Sequence, residues 1–186
     1  TIIIFKVNNK KTLPLKMIGS SFVNPINYFE NRGSAQCKST VMLAALNSPG
    51  QTLIRAKKSR DHTENIFKYL GIPIIIKKNK NNDEIKIRGE KLFKSFKYKV
   101  PSDPSSCAFF IVLTLLSKNC ELKIKNMNVN QSRIGYIEIL NRMGAKIRVK
   151  NTKIRYGEKL ADIFVKSQPA LKKINCPPNL NSNLID

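Results

Sequence analysis

The sequence predicts an α/β fold of repeated βαβαββ units, with buried helices and outer sheets, covering parts of two lobes. Three observations predict it. First, the elements recur: Ser132 lies 73 residues after Ser59 (132 minus 59), and Gly144 lies 73 after Gly71 (144 minus 71). A fixed period of this kind marks a repeated supersecondary unit. Second, the segments VMLAAL (41–46) and AFFIVL (108–113) are apolar on every side, as expected of helices enclosed on all faces. Third, a second helix in each repeat is amphipathic, with Ile66, Phe67 and Leu70 matched by Ile137, Leu140 and Met143.

The first repeat begins with a helix from Ser34 to Asn47 and a strand near Thr52 to Arg55, separated by the turn at Pro49-Gly50. Ser59-Arg60 then leads through IFKYLG to Gly71, where a glycine closes the helix, and on to a strand from Ile72 to Lys77. The polar run Asn79 to Asp83 marks the next turn. In the second repeat a helix from Pro104 to Lys118 precedes a strand near Cys120 to Lys125. Ser132-Arg133 leads through IEILNRMG to Gly144 and a strand from Ala145 to Lys150. Between the repeats, Val100-Pro101-Ser102-Asp103-Pro104 breaks regular structure, which places the expected lobe boundary between residues 99 and 100. Asp103 suits an N-cap and Pro104 the first helical position.

Composition narrows the function. The net charge is +22, from 34 Lys and Arg against 12 Asp and Glu. The basic residues are spread along the whole chain, and Lys outnumbers Arg by 26 to 8 beside 20 Asn. That Lys, Asn and Ile enrichment is what an AT-rich genome produces at solvated positions. No RNP-type aromatic pattern, zinc-finger spacing or basic recognition helix accompanies it, so no nucleic-acid partner is expected. The diffuse positive field still attracts small phosphorylated anions. The longest apolar stretch, Ala108 to Leu113 with Leu115 and Leu116, is far short of the ~20 residues of a membrane span. Thr1 is followed by Ile-Ile-Ile-Phe rather than a basic signal-peptide start, and the first residue is not Met, which points to sequence upstream.

Cys37, Cys107, Cys120 and Cys176 form no CxxC pair, and only His62 could join them, so no metal site is expected. Cys37 and Cys107 stand where small core residues belong. The reading is of reduced thiols in a cytoplasmic protein.

Two polar segments carry the candidate chemistry. Ser34-Ala35-Gln36-Cys37-Lys38-Ser39 and Ser59-Arg60-Asp61-His62-Thr63-Glu64-Asn65 each lead into the first turn of a helix. Helix N-termini have unpaired N–H groups and a partial positive charge, which suit an anion such as phosphate. Arg60 can bond phosphate or carboxylate in a bidentate manner that Lys cannot reproduce. Lys38, at a helix start that is otherwise buried, needs a ligand or a carboxylate, because an unpaired buried charge is costly. Asp61 and Glu64 have capping-box spacing, and His62 reads as a capping or packing residue more readily than a catalytic one. Asp186 follows two apolar residues. Read from the residues alone it is a solvated residue or an N-cap first, and a general base second.

Taken in order, SAQCKS, SRDHTEN, VPSDPSSCAFFI, NQSRIGYIEILNRMGA and NLNSNLID resemble the 5-enolpyruvylshikimate-3-phosphate synthase family, a likeness that runs from Leu13 to Asp186. The sister family that acts on UDP-N-acetylglucosamine shares the fold but lacks the SAQ-K and SRDH signatures, and it stands as the alternative. The other alternative is a basic nucleic-acid-binding α/β module.

The resemblance implies addition of the 5-hydroxyl of shikimate-3-phosphate to C2 of phosphoenolpyruvate, followed by loss of phosphate, with no metal or organic cofactor. It implies that Ser34 and Ala35 contact shikimate-3-phosphate and that Gln36 touches both substrates. Ser59 and Arg60 hold the shikimate phosphate, and Asp186 accepts the proton of the 5-hydroxyl. Residues 1–99 are then the end of the shikimate-3-phosphate-binding lobe, and residues 100–186 the start of the other. The full-length enzyme is expected to be a cytoplasmic monomer. Ser102 replaces the Gly of the family's GDPSS, and Gln131 the Pro of its NPTR. The family's N-terminal Lys-Ser pair, its GNAGT turn and its C-terminal Lys and Arg residues are not in these 186 residues, so the chain alone is expected to be inactive.

Overall fold

The computed structural model describes residues 4–7, 15–19, 23–89, 94–176 and Leu184. The chain forms two compact units, one of residues 1–58 and 70–94 and the other of residues 59–69 and 95–186.

In the first unit, β1 (Ile4–Val7) and β2 (Leu15–Ile18) pair antiparallel. β3 (Asn27–Glu30) leads into α1 (Ala35–Ala45), and the chain returns as β4 (Gln51–Lys57), parallel to β3. β5 (Ile74–Lys78) and β6 (Asn82–Arg88) complete a four-stranded sheet of order β3-β4-β6-β5. Period-two alternation turns Thr52, Ile54 and Ala56 of β4 inward, with Asp83, Ile85 and Ile87 of β6. Met42 and Ala45 of α1 are buried with them.

The second unit contains α2 (His62–Tyr69), α3 (Pro104–Leu116), β7 (Glu121–Asn128), α4 (Gly135–Arg142), β8 (Arg148–Arg155) and β9 (Glu158–Lys166). Its antiparallel sheet has the order β7-β9-β8. The core joins Cys107, Ile111 and Leu115 of α3 to Met127, Ile137, Ile147, Ile163 and Val165. Both outer strands bulge, β7 between Ile124 and Met127 and β8 between Lys150 and Lys153. At the bulges Asn126 and Asn151 adopt left-handed backbones, with φ of 52° and 53°. Asp162 of β9 serves both: its carboxylate accepts the Asn126 amide at 3.0 Å and the Asn151 side-chain amide at 2.9 Å. Those two donors hold its carboxyl below the usual range.

The strands β8 and β9 are joined by Tyr156-Gly157, both with positive φ, as a tight two-residue hairpin requires. Gly157 is needed for a second reason. A Cβ there would lie 2.5 Å from the carbonyl oxygen of Asn65 on α2.

Two expectations are corrected. Neither helix expected to be enclosed is so on every side: in α1 Leu43 and Ala44 are exposed, and in α3 Cys107, Ile111 and Leu115 are buried, whereas Phe109 (75% exposed), Phe110, Leu113 and Leu116 lie on an open face. A helix packed on one sheet buries one stripe of its surface, and among the described residues nothing covers the other. Cys37 is exposed rather than in the core, because it falls on the outer face of the first turn of α1; Cys107 is buried as expected. No helix among the described residues is long and apolar enough to cross a membrane.

Candidate functional site

In the first unit the site begins where β3 ends. Glu30 closes the strand, and the chain turns through Asn31, Arg32 and Gly33 into Ser34, the N-cap of α1. Ser34 has an extended backbone (φ −84°, ψ 112°), and its Oγ accepts the amide of Cys37 at 3.2 Å. Its carbonyl accepts the amide of Lys38 at 3.1 Å. These bonds settle Cys37 and Lys38. The amides of Ala35 and Gln36, the first two helical positions, have no carbonyl partner within the helix because of its geometry. The Gln36 side chain is exposed, and Ser34 and Ala35 are half-buried. The turn therefore offers a hydroxyl, a carboxamide and two backbone donors within three consecutive residues, at the positive end of a helix.

Beneath that turn lie two charges. Glu30 is 3% exposed and Lys38 is 1% exposed. The Glu30 carboxylate accepts the amides of Arg32 at 2.8 Å and Gly33 at 2.7 Å. Burial pushes its carboxyl up, but the amides of Ser34, Arg32 and Gly33 and the charge of Lys38 outweigh that and hold it below the usual range. Lys38 is buried at the start of α1, and its charge is one of the influences that lower the Glu30 carboxyl.

Ser59 and Arg60 stand together in the second unit, half-buried just ahead of α2. The residues after them fasten that helix. Asp61 accepts the side-chain amides of Asn130 at 2.7 Å and Asn65 at 3.4 Å. His62 Nδ1 lies 2.7 Å from Glu158 Oε1, and the second oxygen of Glu158 accepts Asn128 Nδ2 at 3.0 Å. Glu158 is 4% exposed. Burial pushes its carboxyl up, yet donation from His62, Asn128 and Asn65 brings it below the usual range. His62 thus acts as a packing residue that pins α2 to β9. Glu158, Asn128 and Asn130 escaped the sequence reading, since Glu158 lies 96 residues from His62 and follows an ordinary hairpin turn.

Asp103 caps α3 as expected, accepting the Ser106 amide at 2.8 Å, with Pro104 in the first turn. Its other oxygen accepts Arg133 Nη2 at 2.9 Å, and Arg133 also donates to Ser105 Oγ. Burial pushes the Asp103 carboxyl up, while bonds from Ser106 and Arg133 hold it below the usual range. Arg133 follows Ser132 as Arg60 follows Ser59. The start of α3 therefore carries an internal carboxylate at its cap, where α1 carries the hydroxyl of Ser34. Asp186, with most of the NLNSNLID segment, lies outside the described residues.

Comparison with known proteins bears on these motifs directly. Residues 2–174 match the family model of EPSP synthase (3-phosphoshikimate 1-carboxyvinyltransferase). The 3-phosphoshikimate 1-carboxyvinyltransferase of Thermodesulfovibrio yellowstonii is 39% identical over 175 residues, covering 93% of this chain and 40% of the relative. That of Ruthia magnifica is 40% identical over 180 residues, 96% of this chain and 40% of the relative. Among solved structures, EPSP synthase from Acinetobacter baumannii aligns with a TM-score of 0.80 and 32% identity, over 97% of this chain and 40% of that one. The enolpyruvyl transferase NikO from Streptomyces tendae aligns with a TM-score of 0.63 at 15% identity, a likeness of fold alone. The chain spans about two fifths of the length of the curated relatives it matches. With residues 2–174 matched by the family model, the chain belongs to the EPSP synthase family.

Proposed function

We propose that this chain provides the shikimate-3-phosphate side of a 3-phosphoshikimate 1-carboxyvinyltransferase. The reaction joins the 5-hydroxyl of shikimate-3-phosphate to C2 of phosphoenolpyruvate and then expels phosphate. The observation that carries the reading is the start of α1, where the Ser34 hydroxyl, the Gln36 carboxamide and the amides of Ala35 and Gln36 stand at a positively polarised helix end. In this reading Ser34 and Ala35 contact shikimate-3-phosphate, and Gln36 reaches both substrates. Ser59 and Arg60 hold the phosphate, for which a guanidinium is the fitting group. Asp186 takes the proton of the 5-hydroxyl as general base. Residues 1–99 would close one lobe of the enzyme and residues 100–186 open the other. Turnover is proposed for the assembled enzyme and not for these 186 residues alone.

The test is calorimetric titration of the chain with shikimate-3-phosphate, unphosphorylated shikimate and UDP-N-acetylglucosamine. Saturable binding of the first and not of the third supports the reading. Preference for the UDP-sugar would transfer the chain to the sister activity.

A further inference from the structure

Glu30 is a fully buried carboxylate outside the set of residues assigned to substrate, and its position gives it a role. It ends β3, four residues ahead of the N-cap, and its two oxygens take the consecutive amides of Arg32 at 2.8 Å and Gly33 at 2.7 Å. Gly33 has φ +76°, the left-handed backbone that turns successive N–H groups toward one point. Such a concavity ordinarily binds an external anion. Here the protein fills it with its own side chain. We propose that Glu30 is a positioning residue for the substrate turn: its carboxylate locks Arg32 and Gly33 so that Ser34, Ala35 and Gln36 are presented in one geometry. The inference rests on the shikimate-3-phosphate reading for its functional half and on the turn's geometry for its structural half.

The neighbouring chemistry supports this division. Ser34 Oγ is committed to the Cys37 amide and its carbonyl to the Lys38 amide. With Glu30 holding the amides before the cap, the whole turn is fixed from within except at Ala35 and Gln36. A substrate arriving there meets donors already aimed, and the ordering cost is met before binding.

The experiment compares the full 186-residue chain with E30A, E30Q and the double variant E30A/K38M, by amide hydrogen exchange and by titration with shikimate-3-phosphate. The double variant matters because E30A alone changes the charge balance around buried Lys38 and can unfold the chain, so the two charges are also removed together. The expected result is that E30A/K38M keeps the protection of Ile54 and Ile85, while Arg32 and Gly33 exchange about tenfold or more faster, as for loss of a charge-assisted bond. Affinity for shikimate-3-phosphate is expected to fall by roughly tenfold or more in the same variant, with E30Q intermediate because one oxygen still accepts. If E30A/K38M binds as the unaltered chain does, the substrate turn does not depend on Glu30 and the proposal is overturned. If the unaltered chain does not bind shikimate-3-phosphate, the functional reading fails instead, and unchanged exchange at Arg32 and Gly33 would then refute the positioning role on its own.

Discussion

The imidazole of His62 lies 2.7 Å from the carboxylate of Glu158, joining the start of α2 to the first residue of β9 across 96 positions of sequence. Asn128 and Asn65 donate to the same carboxylate, so a buried charge has three partners and little water. Breaking such a group from one side leaves several donors stranded. We expect E158A to lower unfolding free energy by about 2–4 kcal/mol, measured by urea denaturation. A loss under about 0.5 kcal/mol would show that water replaces the carboxylate without penalty.

The same carboxylate sets an acid limit. Its folded pKa lies below the ordinary value, so the folded state binds its proton less readily than the unfolded chain does. Its stabilising contribution is full above the unfolded value near pH ~4.3 and is lost as pH falls through the lower folded value. Glu30 and Asp103 are shifted the same way and add to the slope. Denaturant midpoints measured from pH 7 down to pH 3 should therefore fall steeply below about pH 4.5, and less steeply in E158Q.

Two glycines separate backbone strain from steric conflict. At Gly33 an added Cβ meets only ordinary contact, 3.6 Å from the Lys58 carbonyl oxygen, so G33A should cost about 1 kcal/mol through its left-handed φ. At Gly157 the same φ penalty is joined by a 2.5 Å approach to the Asn65 carbonyl oxygen. G157A should cost at least about 2 kcal/mol and expose the amides of α2 to exchange. Equal losses in the two variants would mean that α2 shifts freely to make room.

The open face of α3 allows a contrast within one helix. Ile111 is fully buried, and I111A should cost about 2–5 kcal/mol. Phe109 and Leu113 are exposed, so F109S/L113S should change stability by less than about 0.5 kcal/mol. That double variant should nevertheless bind less of an apolar dye and sediment with less concentration dependence, because it removes an apolar surface patch. Unchanged dye binding would place the patch elsewhere.

Much of this organisation was legible in the residues. Asp103 was readable as a cap because a short polar side chain before an apolar run has few other uses, and Pro104 confirmed the start. The amphipathic pattern correctly turned Phe67 and Ile137 inward. What stayed hidden depends on partners distant in sequence or on neighbours a pattern cannot count. Nothing in the hairpin around Gly157 marks Glu158 as the partner of His62. That Glu30 takes the amides of Arg32 and Gly33 depends on how β3 meets α1. The uniform apolarity of α3 reports what the helix tolerates and not how much of it this chain covers. The bulges at Asn126 and Asn151 were equally silent, since Asn is common throughout the sequence.

The central claim is that the α1 turn receives the phosphate-bearing substrate. Its most direct test is titration of the isotopically labelled 186-residue chain with shikimate-3-phosphate, following the amide resonances of Ser34, Ala35 and Gln36, with shikimate in a parallel series. Saturable shifts at those residues, with apparent affinity at least about tenfold weaker for shikimate, are the result predicted from loss of a charged hydrogen-bonding group. Equal response to the two compounds, or shifts that bypass the α1 turn, would contradict it.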